Sequence, residues 1–242
     1  MPASNHKIQE RLSTAQVALS NALSNSGIQA ALAAYGCTVD RLQEGQALYE
    51  RALALQLQQG VAYGDLSTAN AALAAAEVQA HADYMRYVKV ARVAFETDPG
   101  VLTKLKLGGG RKKARAGWLL QAKQFYSNAL SDPDIISRLG AYSLTQDMLE
   151  AGKRRVAAVD ASYAARSNHE GEAKKATKVR DEALAALDEW MSEFRQIARM
   201  ALKRQPQDLK KLGVPSRARK TSSATTGASS APIFSGSPTE LV

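Results

Sequence analysis

Cysteine occurs once in this chain, at Cys37, so no intramolecular disulfide can form and no paired Cys/His set exists to hold zinc. Proline occurs seven times and glycine sixteen times in 242 residues, and many of these fall between periodic segments or near the C-terminus. They punctuate helices rather than interrupt them. Aromatic residues make up only 6% of the chain, and no stretch reaches the roughly 18 to 20 apolar residues that a bilayer span requires. Met1 to Leu12 contains His6, Lys7, Glu10 and Arg11 and lacks the apolar core of a signal peptide. The expectation is a soluble protein of a reducing, cytoplasmic interior, with no cofactor.

The chain is rich instead in apolar residues, at 45%, largely Ala and Leu, the strongest helix formers. The formal charge of +9 is unevenly placed. Residues 1–107 hold nine basic and nine acidic side chains, so the whole excess lies in the second half. Such asymmetry points to an anionic partner for that half, and it also favours solubility.

Displacing the sequence against itself by 107 positions aligns Leu12–Leu107 with Leu119–Val214 without a gap, with 26 of 96 pairs identical. Eight of these are Ala, which the composition would supply by chance. The others include Ser20-Asn21-Ala22-Leu23-Ser24 with Ser127-Asn128-Ala129-Leu130-Ser131, and the single pairs Tyr35/Tyr142, Gly45/Gly152 and Pro99/Pro206. Self-similarity at a fixed offset is the mark of a repeated structural unit. The expected fold is all-α, an elongated bundle of antiparallel coiled-coil-like helices arising from an internal duplication. Residues 1–110 form copy one and 111–214 copy two. Residues 215–242 form a tail, basic at first and then rich in Ser, Thr and Ala, which cannot bury enough surface to fold alone and is expected to be disordered.

Within each copy, helix signals place a first helix at Asn5–Asn25 or Lys112–Ser131 and a short second one at Ile28–Tyr35 or Ile135–Tyr142. Asp132-Pro133-Asp134 breaks the chain between them, Gly36 suits a left-handed stop, and Thr38 or Thr145 caps the next helix. The remainder, Val39–Glu96 and Gln146–Lys203, is interrupted only by polar, glycine-containing middles at Gly60–Asp65 and Ser167–Glu172. Two readings remain open there. One is a hairpin turning at the middle; the other is one long helix per copy, of about 87 Å at 1.5 Å per residue. A heptad phase through Leu149, Val156, Val159, Leu184, Leu187, Met191 and Phe194 supports the long helix, although it seats Arg166, Glu170 and Arg180 in the seam.

Candidate chemistry is sparse. Glu77 and His81 share a helix face, but their 107-residue partners are Leu184 and Asp188, so a duplicated metal site is not expected. Leu107-Gly108-Gly109-Gly110 followed by Arg111, Lys112 and Lys113 lacks the strand and the Lys-Ser/Thr pair of a phosphate-binding loop. It reads as a flexible link or as an anion contact. Lys203 to Lys220 holds Lys203, Arg204, Lys210, Lys211, Arg217, Arg219 and Lys220 against one acid, Asp208. Phosphate backbones attract such clusters without sequence specificity. The stripe Tyr84, Tyr87, Val88, Ala91, Ala94 and Phe95 reads as core. The function expected is a non-enzymatic structural or adaptor protein, acting through a protein partner or self-association. The alternative is a nucleic-acid-associated protein of low sequence specificity, with Arg111, Lys112, Lys113, Lys210, Lys211, Arg217, Arg219 and Lys220 as its candidate contacts.

Overall fold

Eight α-helices account for the fold in a computed structural model that describes residues 5–214. The expectations for the tail lie outside the described residues. In chain order the helices are α1 (Asn5–Ser24), α2 (Ser26–Ala33), α3 (Val39–Ala94), α4 (Pro99–Lys104), α5 (Arg115–Leu130), α6 (Pro133–Gly140), α7 (Gln146–Ala201) and α8 (Pro206–Lys211). No strand occurs among the described residues, and none of the helices is long and apolar enough to cross a membrane.

The choice between hairpin and long helix falls to the long helix in both halves. Helices α3 and α7 each run unbroken for 56 residues, about 84 Å at 1.5 Å per residue. Gly60, Gly64 and Gly171 sit inside them as ordinary helical residues, with open space where a Cβ would be. Thr38 and Thr145 cap the starts as expected, each side chain accepting a hydrogen bond from the backbone N–H three residues on. The short helices begin earlier than expected, because Asn25 and Asp132 are themselves caps, accepting from the Ile28 and Ile135 N–H groups. Helix α5 begins later, at Arg115 rather than Lys112, with Ala114 offering no side-chain cap.

The two long helices pack antiparallel, and they form by far the largest helix pair in the molecule. Three contacts fix the register: Arg41 to Glu193 at one end, Arg166 Nε to Asn70 Oδ1 at 3.2 Å near the middle, and Arg155 to Asp83 at the other end. The seam near the middle is built of small or polar residues. Ala173 is buried, Ala62 and Ala69 half-buried, and Arg180 is 3% exposed with its guanidinium on Asp181. Arg180 lies two heptads along α7 from Arg166, opposite Gln56, which is two heptads back along α3 from Asn70. The Gln56 Oε1 is buried without a hydrogen-bond partner.

Each end of this pair carries its own core. At one end, α1 and α2 cover the start of α3 and the last third of α7, burying Ile8, Leu19, Leu32, Leu42, Trp190 and Phe194 together. The other end places α5 and α6 over the last third of α3 and the start of α7, around Tyr84, Phe95, Phe125, Tyr126 and Leu149. The stripe from Tyr84 to Phe95 is therefore core, as its spacing implied. Residues 1–110 and 111–214 do not pack as separate bodies; both cores draw on both halves.

Helices α2, α3 and α4 have the same lengths as α6, α7 and α8 and lie 107 residues before them. Environments recur at the same offset: Tyr35 and Tyr142 are exposed, while Leu105 and Leu212 are buried. Left-handed stops recur too, at Gly36 and Ser143 and again at Lys106 and Gly213.

Candidate anion-binding surfaces at the two ends

The candidate basic residues divide between opposite ends of the molecule. Arg111, Lys112 and Lys113 lie in the segment that leads from α4 to α5, at the end built around Tyr84 and Phe125. Arg111 is half-buried and its bonds point inward. Its Nη1 donates to the Tyr84 hydroxyl at 2.9 Å, and its Nη2 donates to the carbonyls of Lys106 and Gly108 at 2.7 and 2.8 Å. Arg92 does similar work from α3, donating twice to the Leu107 carbonyl at 2.9 and 3.0 Å. Together the two guanidiniums hold the glycine-rich segment by its carbonyl groups, which helix ends leave without partners. The Lys112 backbone N–H donates to Gln121 Oε1 at 3.0 Å, and the Lys112 and Lys113 side chains are exposed.

Lys210 and Lys211 belong to α8 at the other end. The Lys211 Nζ is 2.7 Å from Asp208 Oδ1, and its carbonyl accepts from Asn21 Nδ2 at 2.6 Å, which ties α8 to α1. The matching bond at the first end runs from Asn128 Nδ2 to the Lys104 carbonyl, at 2.5 Å. Lys210 is exposed and has no carboxylate partner among the described residues. Arg217, Arg219 and Lys220 lie outside the described residues.

Sequence reasoning took the basic run from Lys203 onward and missed its extension back along α7 to Arg195 and Arg199. Arg195 and Arg199 stand four residues apart on one face of α7, and Lys203 and Arg204 follow in the turn that succeeds its last residue, Ala201. Arg199, Lys203 and Arg204 are exposed and Arg195 is half-buried. None of the four has a carboxylate partner among the described residues, where fifteen Lys or Arg pairs with a carboxylate occur. The four-residue spacing could have found it under either reading of the middle, since both run a helix up to Lys203.

The first end disposes of its charge differently. Asp98 caps α4 and meets Arg138 of α6 at 2.8 Å, while Asp132 caps α6 and meets Lys104 of α4 at 2.7 Å. Each capping carboxylate thus holds the base of the other helix. The Val101 N–H and Arg138 hold the Asp98 carboxyl below the ordinary carboxylate range, and Lys104 does so for Asp132. At the second end the corresponding positions are Gln205, Asn25 and Ala31, so no such clasp forms.

Other groups are already satisfied where they stand. Glu77 pairs with Arg115, and His81 meets the edge of Trp118 with ring centroids 5.2 Å apart. No three His, Cys, Asp or Glu residues gather as metal ligands would among the described residues. An open groove of about 610 Å³ between α5 and α7 has Leu119, Leu120 and Tyr163 along it, but its cations Arg115 and Lys123 are paired with Glu77 and Asp160. Cys37 is buried, and burial pushes its thiol pKa up, against the pull of Arg41.

The fold and surfaces define an elongated, two-ended helical protein with an antiparallel 56-residue helix pair as its shaft. No protein-family model, curated protein or solved structure matches the chain.

Proposed function

We propose that this chain is a non-enzymatic structural or adaptor protein, a two-ended helical spacer grown by duplication of one four-helix unit, which meets other macromolecules or its own copies along its length and at its ends. The observation that carries the reading is the separation of its cores. One core reaches along α3 only to Leu55 and the other begins at Leu73, leaving about 27 Å in which two helices alone make the shaft. A chain of this composition could bury more apolar surface by folding compactly, so reach rather than burial is what its two long helices supply.

Exposed apolar side chains supply the contact surface. Leu53, Leu57 and Val61 recur at four-residue spacing along α3, the last two each 65% exposed. Tyr35 and Tyr142 stand out at the two ends. A lone buried thiol suits a reducing, cytoplasmic setting.

Photo-crosslinking residues placed at 35, 61 and 142 test the proposal in cells. Crosslinks to a second copy or to another macromolecule are expected from the shaft or from both ends. A protein that stays uncrosslinked at all three positions, and monomeric by light scattering, is not an adaptor.

A further inference from the structure

We propose that the end of the molecule formed by the last turns of α7 and by α8 binds the phosphate backbone of duplex nucleic acid, with Arg199, Lys203, Arg204 and Lys210 as its contacts and Arg195 behind them. The proposal does not depend on the spacer reading, and its test fails separately from that one.

The molecule provides its own control. Its two ends carry helices of matching length at a fixed offset, so each end shows what the other's helices can form without. The positions 107 residues before Arg195, Arg199, Lys203, Arg204 and Lys210 are Val88, Arg92, Glu96, Thr97 and Thr103. Val88 is core, and Arg92 is engaged by the carbonyls of the glycine-rich segment. The other three positions are acidic or neutral. At Val88, Glu96, Thr97 and Thr103 the helices form and pack without a basic side chain, so packing does not explain Arg195, Lys203, Arg204 and Lys210 at the second end; Arg199, unlike its partner Arg92, holds no carbonyl among the described residues. That end also lacks the Asp98–Arg138 and Asp132–Lys104 clasp that neutralises charge at the first.

The stripe suits a duplex. From Arg195 to Lys203 the chain advances eight residues, about 12 Å at helical rise, the last two of them in the turn beyond α7. The same length of duplex axis carries about seven phosphate charges. Trp190 and Phe194, the nearest aromatic side chains on α7, are buried, so the basic face itself carries no ring for stacking an unpaired base, and Tyr35 of the neighbouring α2–α3 turn is the exposed ring at that end. Backbone contact without base contact binds without sequence preference. A membrane surface fits less well. Met200 is the exposed apolar side chain on the last turn of α7, and one such side chain among four cations is too little apolar surface for a helix that lies in a membrane interface.

The test uses the full chain and a labelled 30-base-pair duplex of arbitrary sequence, with anisotropy read from 50 to 200 mM salt. Replacing Arg199, Lys203, Arg204 and Lys210 together by Gln is expected to reduce the slope of log affinity against log salt by about 3.6, at about 0.9 per contact. Over that range the variant then loses about a hundredfold less affinity than the parent. A second variant, Lys106→Gln with Lys112→Gln and Lys113→Gln at the opposite end, is expected to keep the parent slope. Helix content by circular dichroism shows whether the first variant folds; if it does not, Arg199→Lys with Arg204→Lys is expected to fold and keep the parent slope, while Lys203→Gln and Lys210→Gln singly each reduce it. No duplex binding by the parent at 50 mM salt overturns the proposal. So does an unchanged slope in the Gln variants, a loss confined to the opposite end, or binding to anionic lipid vesicles without binding to the duplex.

Discussion

Gly45 and Gly152 align at the repeat offset, yet each admits a different ring. A Cβ built on Gly45 would lie 2.5 Å from the Trp190 ring of α7, and one on Gly152 would lie 2.5 Å from the Tyr126 ring of α5. Both rings are buried, so neither can swing aside without disturbing a core. Gly152→Ala is therefore expected to cost about 1 to 3 kcal/mol, the usual penalty of overpacking. Gly171→Ala has nothing within 4 Å and sits mid-helix, so it is expected to stabilise by up to about 1 kcal/mol. Chemical denaturation of the two variants should show shifts of opposite sign. The left-handed stops supply a companion case. Ser143 holds φ +61° where its partner Gly36 holds +83°, so Ser143→Gly is expected to raise stability by about 1 kcal/mol. A melting temperature unchanged or lowered by that substitution would contradict it. Sequence comparison can pair these glycines and suggest that Gly36 ends a helix. It cannot supply the rings, because Trp190 and Tyr126 come from different helices and their own repeat partners are Asp83 and Leu19.

At the scale of elements, the heptad phase carries α7 through its polar middle, and the helix runs as that phase requires. The charges that weigh against it are there: Arg166, Glu170 and Arg180 do lie in or beside the seam. They are tolerated because charge is matched locally. Arg166 and Lys174 both meet Glu170, which they hold below the ordinary carboxylate range, and Arg180 meets Asp181. Such pairs between neighbouring residues are invisible to a seam pattern that scores only apolar positions. Helices α4 and α8 escape sequence reading, because six residues give no period to read. Their geometry yields a pH prediction at one end. The folded-state pKa values of Asp98 and Asp132 are depressed, so their contribution is present above the unfolded value of about 3.9 and is lost as pH falls through the lower folded values. Asn preserves a helix cap while removing the charge. The double variant Asp98→Asn, Asp132→Asn is expected to be less stable than the parent at pH 7 and to lose stability less steeply below pH 4. Parallel acid-unfolding curves for the two proteins would show that the α4–α6 clasp contributes nothing through charge.

At the scale of the whole molecule, the sequence division at residue 110 is not a division of the fold. The core around Ile8 and Leu42 is completed by Leu184, Leu187, Trp190, Met191, Phe194, Leu202, Leu209 and Leu212, all from the second half. A chain of residues 1–110 would leave its share of that core facing water. At about 1.5 to 3 kcal/mol for each large apolar side chain left unburied, the deficit exceeds the roughly 5 to 15 kcal/mol by which a folded domain is stable. The half-chain is therefore expected to be largely unfolded as a monomer. The repeat opens two routes to recovery. Residues 111–242 supplied in trans should restore the full helical signal by completing both cores. A second copy of 1–110 should do so only at higher concentration. In that homodimer α3 would take the place of α7, and Asp83, which precedes Trp190 by 107 residues, would stand where Gly45 now receives an indole ring. A carboxylate there fills less space and must be desolvated, so the mixed pair should outcompete the homodimer. Circular dichroism across a dilution series, with light scattering at each concentration, measures this directly. A half-chain that is fully helical and monomeric at micromolar concentration would show that the unit folds alone, and the account of two shared cores would fail.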